Sequence, residues 1–547
     1  MKKLFYLIFM ALLPGISHGQ AVNSLKSVNQ ELLSSNLPIV IINTFQGEQI
    51  PDPYKITADM KIIWNGGTKR NFITDSGNVY TGKIGIEIRG AYSASLPQKP
   101  YSLETRDVNG AALNVSILGM PSENDWILTA NYNDKTFLRN YLAFEIFRKM
   151  GHYAPRTRFC EVVINGEYQG IYLLGEKIKQ DKGRVDIAEL KPRDDTGDEV
   201  TGGYIIKNDY YSDGDSWASH FSPVNRQGAT VHFVYFDPKP ADIAQPQKDY
   251  IKDFINTLET VLYNPSFSAP VFGYKSYLDV NSFADYFILS EVTRNVDAYK
   301  KSRYFFKNRD SRGGLLFSGP PWDYDWAWKT LTENCIHFNK TDGSGWAYKI
   351  NECYADPVPP SWEVRMMQDP EFVRMIHNRY FELRSSYLSQ SWIESTIDSV
   401  TNLLDEAQVR HYQKWPILGV NVGTPEPDFQ PDTYKGDINK FKSWINTRLT
   451  WLDANMPGID VSVRDIKSGE VRCRLFPNPF DDLIYIEADR EIEEIAVIDV
   501  SGTVVRELTA LCSFSVRADL SGIKTGLYIV KIRLNNDEVI VNKIIKK

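Results

Sequence analysis

The sequence predicts an α+β fold with a small all-β domain at its C-terminal end, and three observations carry that expectation. Short β-branched runs closed by turn residues fill the chain up to about residue 240. Helical apolar spacing marks 243–263, 279–295 and 436–458, and strand-like segments recur at short intervals from 473 onward.

The first ordered run, NLPIVIINT (36–44), is β-branched and stops at Asn43-Thr44; a second strand follows within QIPDPYKITADMKIIW. KIGIEIRG (83–90) and KPYSLET (99–105) form a strand pair across the polar turn AYSASLPQ. DKTFLRNYLAFEIFRKMG (134–151) places Leu138, Leu142 and Ile146 on one helical face, starts at Asp134 and stops at Gly151. In 158–177, Asn165-Gly166 separates two apolar runs, the pairing that favours a tight β-hairpin turn. Strands follow in GGYIIKNDYY and ATVHFVYFDPKP, then helices at 243–263 and 279–295, a hairpin at 303–318 and a last helix at 436–458. Residues 458–472 read as a linker. IYIEA, EIAVIDVSGTVV, GLYIVKIRL and EVIVNKIIKK read as strands of a β-sandwich over 473–547.

Composition is that of a globular chain: 547 residues, 42% hydrophobic and 24% charged, enough for two or more domains. The formal net charge of -7 offers nucleic acid no electrostatic attraction. Residues 1–19 carry Lys2-Lys3, an apolar run from Leu4 to Leu13, and Ser17 and Gly19 at cleavage spacing, which predicts a secretory signal peptide. No later run is long and apolar enough to span a bilayer, so no integral membrane segment is expected. Export leaves the five cysteines open to oxidation. Cys335 and Cys353, in a Gly- and Asn-rich loop, are the favoured disulfide; Cys473 and Cys512 are a second candidate pair, leaving Cys160 as a buried thiol.

Candidate chemistry centres on NVDAYKKSRYFFKNRDSRGGLLFSGPPWDYDWAW (295–328), where Asp297 precedes the predicted hairpin and Asp323-x-Asp325 follows it. A hairpin brings its ends together, so these carboxylates are expected to share one site. Phosphoryl transfer needs one carboxylate to orient the attacking hydroxyl, another to hold Mg²⁺, and cations on the phosphates. The predicted order of strand pair, helix, hairpin, long helix, Asp, hairpin and Asp matches the order of those parts in protein kinases.

The stretches IEIRGAYSASLPQKPYSLE, WILTANYNDKTFLRNYLAFEIFRKMG, VVINGEYQGIYLLGEKIK, RNVDAYKKSRYFFKN, GPPWDYDWAW and INTRLTWLD occur in that order over about residues 36–455. In them the chain resembles the spore coat protein H (CotH) family of atypical secretory-pathway protein kinases. The resemblance implies an atypical protein-kinase-like domain over 30–457 that uses ATP with Mg²⁺ or Mn²⁺. It implies Asp297 as the catalytic aspartate, Asp323 as the metal-binding one with Asp325 beside it, and Arg89 and Lys99 as basic positions near the nucleotide. Glu176 and Lys177 fall where a hinge to the adenine would lie. Many relatives have Asn five residues after the catalytic Asp; this chain has Ser302, a weaker Mg²⁺ ligand.

The segment 473–547, with LFPNPFDDLIYIE, IAVIDVSGTVV and ADLSGIKTGLYIVKI, resembles the type A sorting domain of type IX secretion. That implies the type IX secretion machinery as a partner, and release or attachment at the outer cell surface after export across the inner membrane.

Other readings stand beside these. Asp297 is also an ordinary helix-end turn residue, Asp323 and Asp325 also suit a structural calcium ion, and Lys99 also reads as a solvated strand end. Trp322, Trp326, Trp328 and Trp346 are core or a sugar-ring platform. The leading function is transfer of the ATP γ-phosphoryl group to protein Ser/Thr hydroxyls. Its alternatives are a catalytically weakened surface module that binds protein or glycan, and a glycoside hydrolase using Asp297 and Asp323.

Overall fold

The computed structural model describes residues 32–332, 335–458, 473–499, 502–535 and 538–547. The expected signal peptide, and all of the expected linker except Gly458, lie outside the described residues. The chain divides into two compact units, Met1–Ile459 and Asp460–Lys547.

The first unit is built on a closed seven-stranded barrel. Its strands run in the order Ile39–Thr44, Ile56–Ile63, Tyr80–Ile88, Tyr101–Arg106, Asp125–Ala130, Glu167–Glu176 and Thr157–Ile164. Six neighbouring pairs are antiparallel; closure comes from a parallel pairing that sets Ile39 opposite Glu161 and Ile42 opposite Ile164. The hairpin turn falls at Asn165-Gly166, whose φ angles of +51° and +81° are those an Asn-Gly pair adopts readily. Strand alternation then feeds two cores. Cys160, Val162, Tyr172 and Leu174 fill the barrel, while Phe159, Ile171 and Leu173 belong to a second core outside it that also holds Leu142 and Ile146 of the helix Arg139–Lys149.

A second, antiparallel sheet of five strands runs in the order Ser216–Ala218, His232–Asp237, Tyr204–Asn208, Arg303–Lys307 and Leu316–Ser318. Its last two strands are the expected hairpin, with Phe305 opposite Ser318. The helices of this unit are Gln245–Leu262, Val280–Thr293, Pro370–Arg384, Gln390–Lys414 and Tyr434–Asn455, of which Val280–Thr293 packs against Leu316–Ser318 of this sheet and Gln390–Lys414 against the barrel strand Glu167–Glu176; the third and fourth of these helices have no counterpart in the sequence expectations. Val280–Thr293 is nearly all buried, capped by Asp279 accepting from Ser282 N and ended by Arg294 at φ +42°. One buried ion pair anchors it: Glu291 and Arg448 are both 0% exposed and 3.2 Å apart. Glu291 also accepts from Ala347 N and Tyr348 N, and Arg448 donates to Gly343 O and Gly345 O. Cys335 and Cys353 are bridged, bracing this loop as expected.

The second unit is all β: its strands are hydrogen-bonded into one sheet that folds back on itself, so that Ile484 and Ile486 share a core with Val530, Ile532 and Ile544. The long strand Leu483–Asp499 pairs with Cys473–Phe476 through its first half, with Gly526–Leu534 through its second, and with Val504–Asp519 along both. Register shifts between Glu487 and Ile492 mark where it changes partner, and such irregularities bend a strand. Val539–Lys546 completes the sheet beside Gly526–Leu534. The candidate Cys473–Cys512 bridge is absent, and both thiols are free. Their strands flank Leu483–Asp499 on opposite sides, about 10 Å apart, beyond disulfide reach.

Candidate active site

The helix Val280–Thr293 delivers the chain to Asn295-Val296-Asp297, and the hairpin that follows returns it to Asp323. Asp297, Ser302, Asp323, Asp325 and Arg89 line one cavity of about 660 Å³ between the barrel rim and the five-stranded sheet. The 322–328 segment is pinned by three hydrogen bonds to two helices, Arg139–Lys149 and Val280–Thr293. Arg139 Nε donates to Ala327 O at 2.8 Å, Asn140 Oδ1 accepts from Tyr324 N at 2.7 Å, and Trp328 N donates to Thr293 O at 2.7 Å. In the D-x-D segment Tyr324 is 0% exposed and packs into the core, while Asp323 and Asp325 on either side of it line the cavity. Trp322 and Trp328 are buried, and Trp326 lines the cavity.

Asp297 sits in a turn in which its carbonyl accepts from Lys300 N and Lys301 N. Its carboxylate is 3.2 Å from Lys301 Nζ and 3.5 Å from Lys300 Nζ. Burial works against the Lys301 ammonium, yet Asp297 and its surroundings hold its pKa above the ordinary lysine value. Ser302 Oγ donates to Asp323 Oδ2 at 2.7 Å. Both residues have left-handed backbones, Ser302 at φ +51° and Asp323 at φ +57°. Non-glycine residues persist in that region where their surroundings hold them, and such strain clusters at functional sites. Asn295 Nδ2 donates to Asp323 O at 3.2 Å, and Asn133 Nδ2 to Asp325 Oδ2 at 2.5 Å.

The electrostatics are short of positive charge. Among the lining residues, Asp209, Asp297, Asp323 and Asp325 face Arg89, Lys207 and Lys301, and Lys207 is engaged by Asp209 at 2.7 Å. Burial raises the Asp323 pKa, with the Arg89 guanidinium opposing it. Burial and then the charge of Asp323 push Asp325 up to about 6, with the Asn133 amide opposing. A pair of carboxyls held up in this way gains from a cation placed between them. Among the described residues no group of three or more His, Cys, Asp or Glu is gathered as a metal cluster. Mg²⁺ is commonly held by one or two carboxylates together with substrate phosphates, so the oxygen donors of Asp323, Asp325 and Ser302 fit it without such a cluster.

Three expected residues lie elsewhere. Lys99 Nζ donates to Ala94 O at 2.8 Å, closing the 92–95 turn, and only its neighbour Pro100 lines the cavity. Glu176 is 0% exposed and accepts from Arg156 N at 2.9 Å and Arg156 Nε at 3.1 Å, fastening the end of its strand to the residue that leads into the neighbouring strand Thr157–Ile164. Lys177 faces Asp125 at 4.0 Å, and burial lowers its pKa. Neither of the last two reaches the cavity, because Glu176 pairs with Trp126 at the start of the strand Asp125–Ala130, whereas the cavity is lined by Thr129 and Ala130 at that strand's end. In their place stand Lys301, visible only as the residue four after Asp297, and Asn133, Asn140, Lys207 and Asp209, which no local signal marks. Arg89 does reach the cavity, lying over the Trp322 ring at 5.3 Å from its centroid.

A family model described as "CotH kinase protein" matches residues 86–452, and one described as "Secretion system C-terminal sorting domain" matches residues 474–547. Inner spore coat protein H of Bacillus subtilis (strain 168) is 25% identical over 205 residues, which is 37% of this chain and 49% of that protein. The chain therefore spans about half the length of that relative. The crystal structure of CopC from Methylosinus trichosporium OB3b aligns over 14% of this chain and 91% of its own, at 17% identity and a TM-score of 0.12, too slight a likeness to bear on the fold.

Proposed function

Because the chain belongs to the CotH kinase protein family, we propose that its first unit is an atypical kinase that transfers the γ-phosphoryl group of ATP to Ser or Thr hydroxyls of a protein. The observation that carries this is the meeting of Asp297, Ser302, Asp323 and Asp325 with Arg89, Lys207 and Lys301 in one cavity, from segments far apart in the chain. Asp297 orients the acceptor hydroxyl and takes its proton as the oxygen–phosphorus bond forms and the bond to ADP breaks. Arg89 and Lys301 offset the negative charge of the phosphates. Mg²⁺ or Mn²⁺, held through Asp323 with Asp325 and Ser302, supplies charge neutralisation on the phosphate oxygens.

The C-terminal sorting domain implies the type IX secretion machinery as a partner and indicates secretion with attachment at the cell surface. In this reading the N-terminal signal peptide supplies passage across the inner membrane. Among the described residues no helix is long and apolar enough to cross a membrane.

The test is label transfer from γ-labelled ATP by the purified chain with Mg²⁺ or Mn²⁺, onto itself or a generic protein acceptor. Transfer supports the kinase. Absence of transfer together with absence of nucleotide-dependent stabilisation overturns it, and leaves the surface-binding module that Ser302 favours.

A further inference from the structure

A second cavity, of about 350 Å³, lies where the barrel wall meets the helix Gln390–Lys414, and it shares no lining residue with the cavity around Asp297. Trp64, Tyr141, Phe159 and Leu403 give it an apolar, largely aromatic wall. Two features interrupt that wall. Thr157 is 5% exposed, and its Oγ1 is buried without a hydrogen-bond partner among the described residues. Arg158 spends Nη1 on Thr157 O at 2.8 Å and Nε on Leu118 O at 3.2 Å, and makes no ion pair among the described residues. Nearby, Asn36 Nδ2 donates to Leu403 O at 2.8 Å while its Oδ1 is likewise buried and unpartnered.

Buried polar atoms are ordinarily satisfied, so an unpartnered hydroxyl on a residue that lines an apolar hollow, next to a guanidinium without an ion-pair partner among the described residues, points to a ligand that completes them. The volume is at the low end for small-molecule sites, too small for a nucleotide or a folded partner. We propose that this cavity binds a small organic acid with an apolar or aromatic body. Its carboxylate accepts from the Thr157 hydroxyl and pairs with the Arg158 guanidinium, and its body lies against Trp64, Tyr141 and Phe159. A ligand there touches both the barrel and the helix Gln390–Lys414, and so ties the two together.

The test titrates the full chain with 3-phenylpropionate, hexanoate and the uncharged 3-phenylpropanol, read by saturation-transfer NMR and by thermal melting. At least one acid is expected to bind saturably and raise the melting temperature, with the alcohol weaker by about tenfold. Thr157→Val and Arg158→Gln are each expected to weaken the acid by about tenfold. Thr157→Val removes an unpartnered hydroxyl and is expected to melt no lower than the parent, so lost binding is not lost folding. Absence of saturable binding by both acids, equal binding of the alcohol, or unchanged affinity in both variants would overturn the proposal.

Discussion

Replacing Asp325 by Asn is expected to make the protein more stable and less active. Burial and the neighbouring Asp323 push the Asp325 carboxyl from its ordinary 3.8 up to about 6. About two units at roughly 1.4 kcal/mol each set an upper figure near 3 kcal/mol for what the ionised form costs the fold, and water reaching the carboxyl from the cavity brings the expectation to about 2 kcal/mol. The folded chain holds this proton more tightly than the unfolded one. The parent's stability from this group therefore falls as pH rises from about 4 to about 6, and the penalty is complete above that. Asparagine carries no charge and keeps an acceptor for Asn133 Nδ2, now 2.5 Å from Asp325 Oδ2. Urea unfolding of both proteins across this range should show the variant ahead by about 2 kcal/mol at neutral pH and level with the parent at about pH 4. Mg²⁺ should narrow the neutral-pH gap by stabilising the parent more than the variant. A variant no more stable than the parent at neutral pH, or a gap independent of pH, would refute this account of the pair.

Ser302→Asn should lower the Mg²⁺ concentration for half-maximal phosphotransfer several-fold, since Asn tolerates the φ of +51° found there and supplies a carbonyl oxygen; an unchanged or raised requirement counts against Ser302 as a ligand. Arg448→Ala leaves the 0%-exposed carboxylate of Glu291 without its cation and should cost about 3–5 kcal/mol in denaturant unfolding. A loss under about 1 kcal/mol would show that the pair does not anchor the helix leading to Asp297. Removing the Cys335–Cys353 bridge, with its sequence separation of 18, should cost about 3 kcal/mol. Cys335 packs with Val296, Ala298 and Tyr299, so the same change should also slow turnover, and unaltered turnover would separate the bridge from the catalytic loop.

What the sequence made legible was local. Asn165-Gly166 announced its hairpin, the apolar spacing in 134–151 and 279–295 announced helices, and carboxylates at both ends of a short hairpin announced that Asp297 and Asp323 share a cavity. The helix Arg139–Lys149 is shorter than the expected span because Asp134 caps a preceding turn, accepting from Thr136 N and Arg139 N. Barrel closure was not legible, because it depends on a parallel pairing of residues 39–42 with 161–164 that no turn signal encodes. For the same reason Lys207 and Asp209 reach the site unannounced: Lys207 lies on, and Asp209 directly follows, the strand Tyr204–Asn208, which pairs with Arg303–Lys307 across almost a hundred residues of chain. Glu176 and Lys99 went the other way. Charged residues at strand ends look alike in sequence, and only the fold shows Glu176 spent on Arg156 and Lys99 on Ala94 O.

The separate roles of Asp297 and Asp323 are tested by comparing the parent with Asp297→Asn and Asp323→Asn, measuring γ-phosphoryl transfer and Mg²⁺-dependent ATP binding side by side. Asp297→Asn is predicted to bind ATP as the parent does while losing about a hundredfold or more of transfer, and Asp323→Asn to lose the Mg²⁺-dependent binding itself. Transfer by Asp297→Asn at the parent's rate, or ATP binding by Asp323→Asn with an unchanged Mg²⁺ requirement, would contradict these roles.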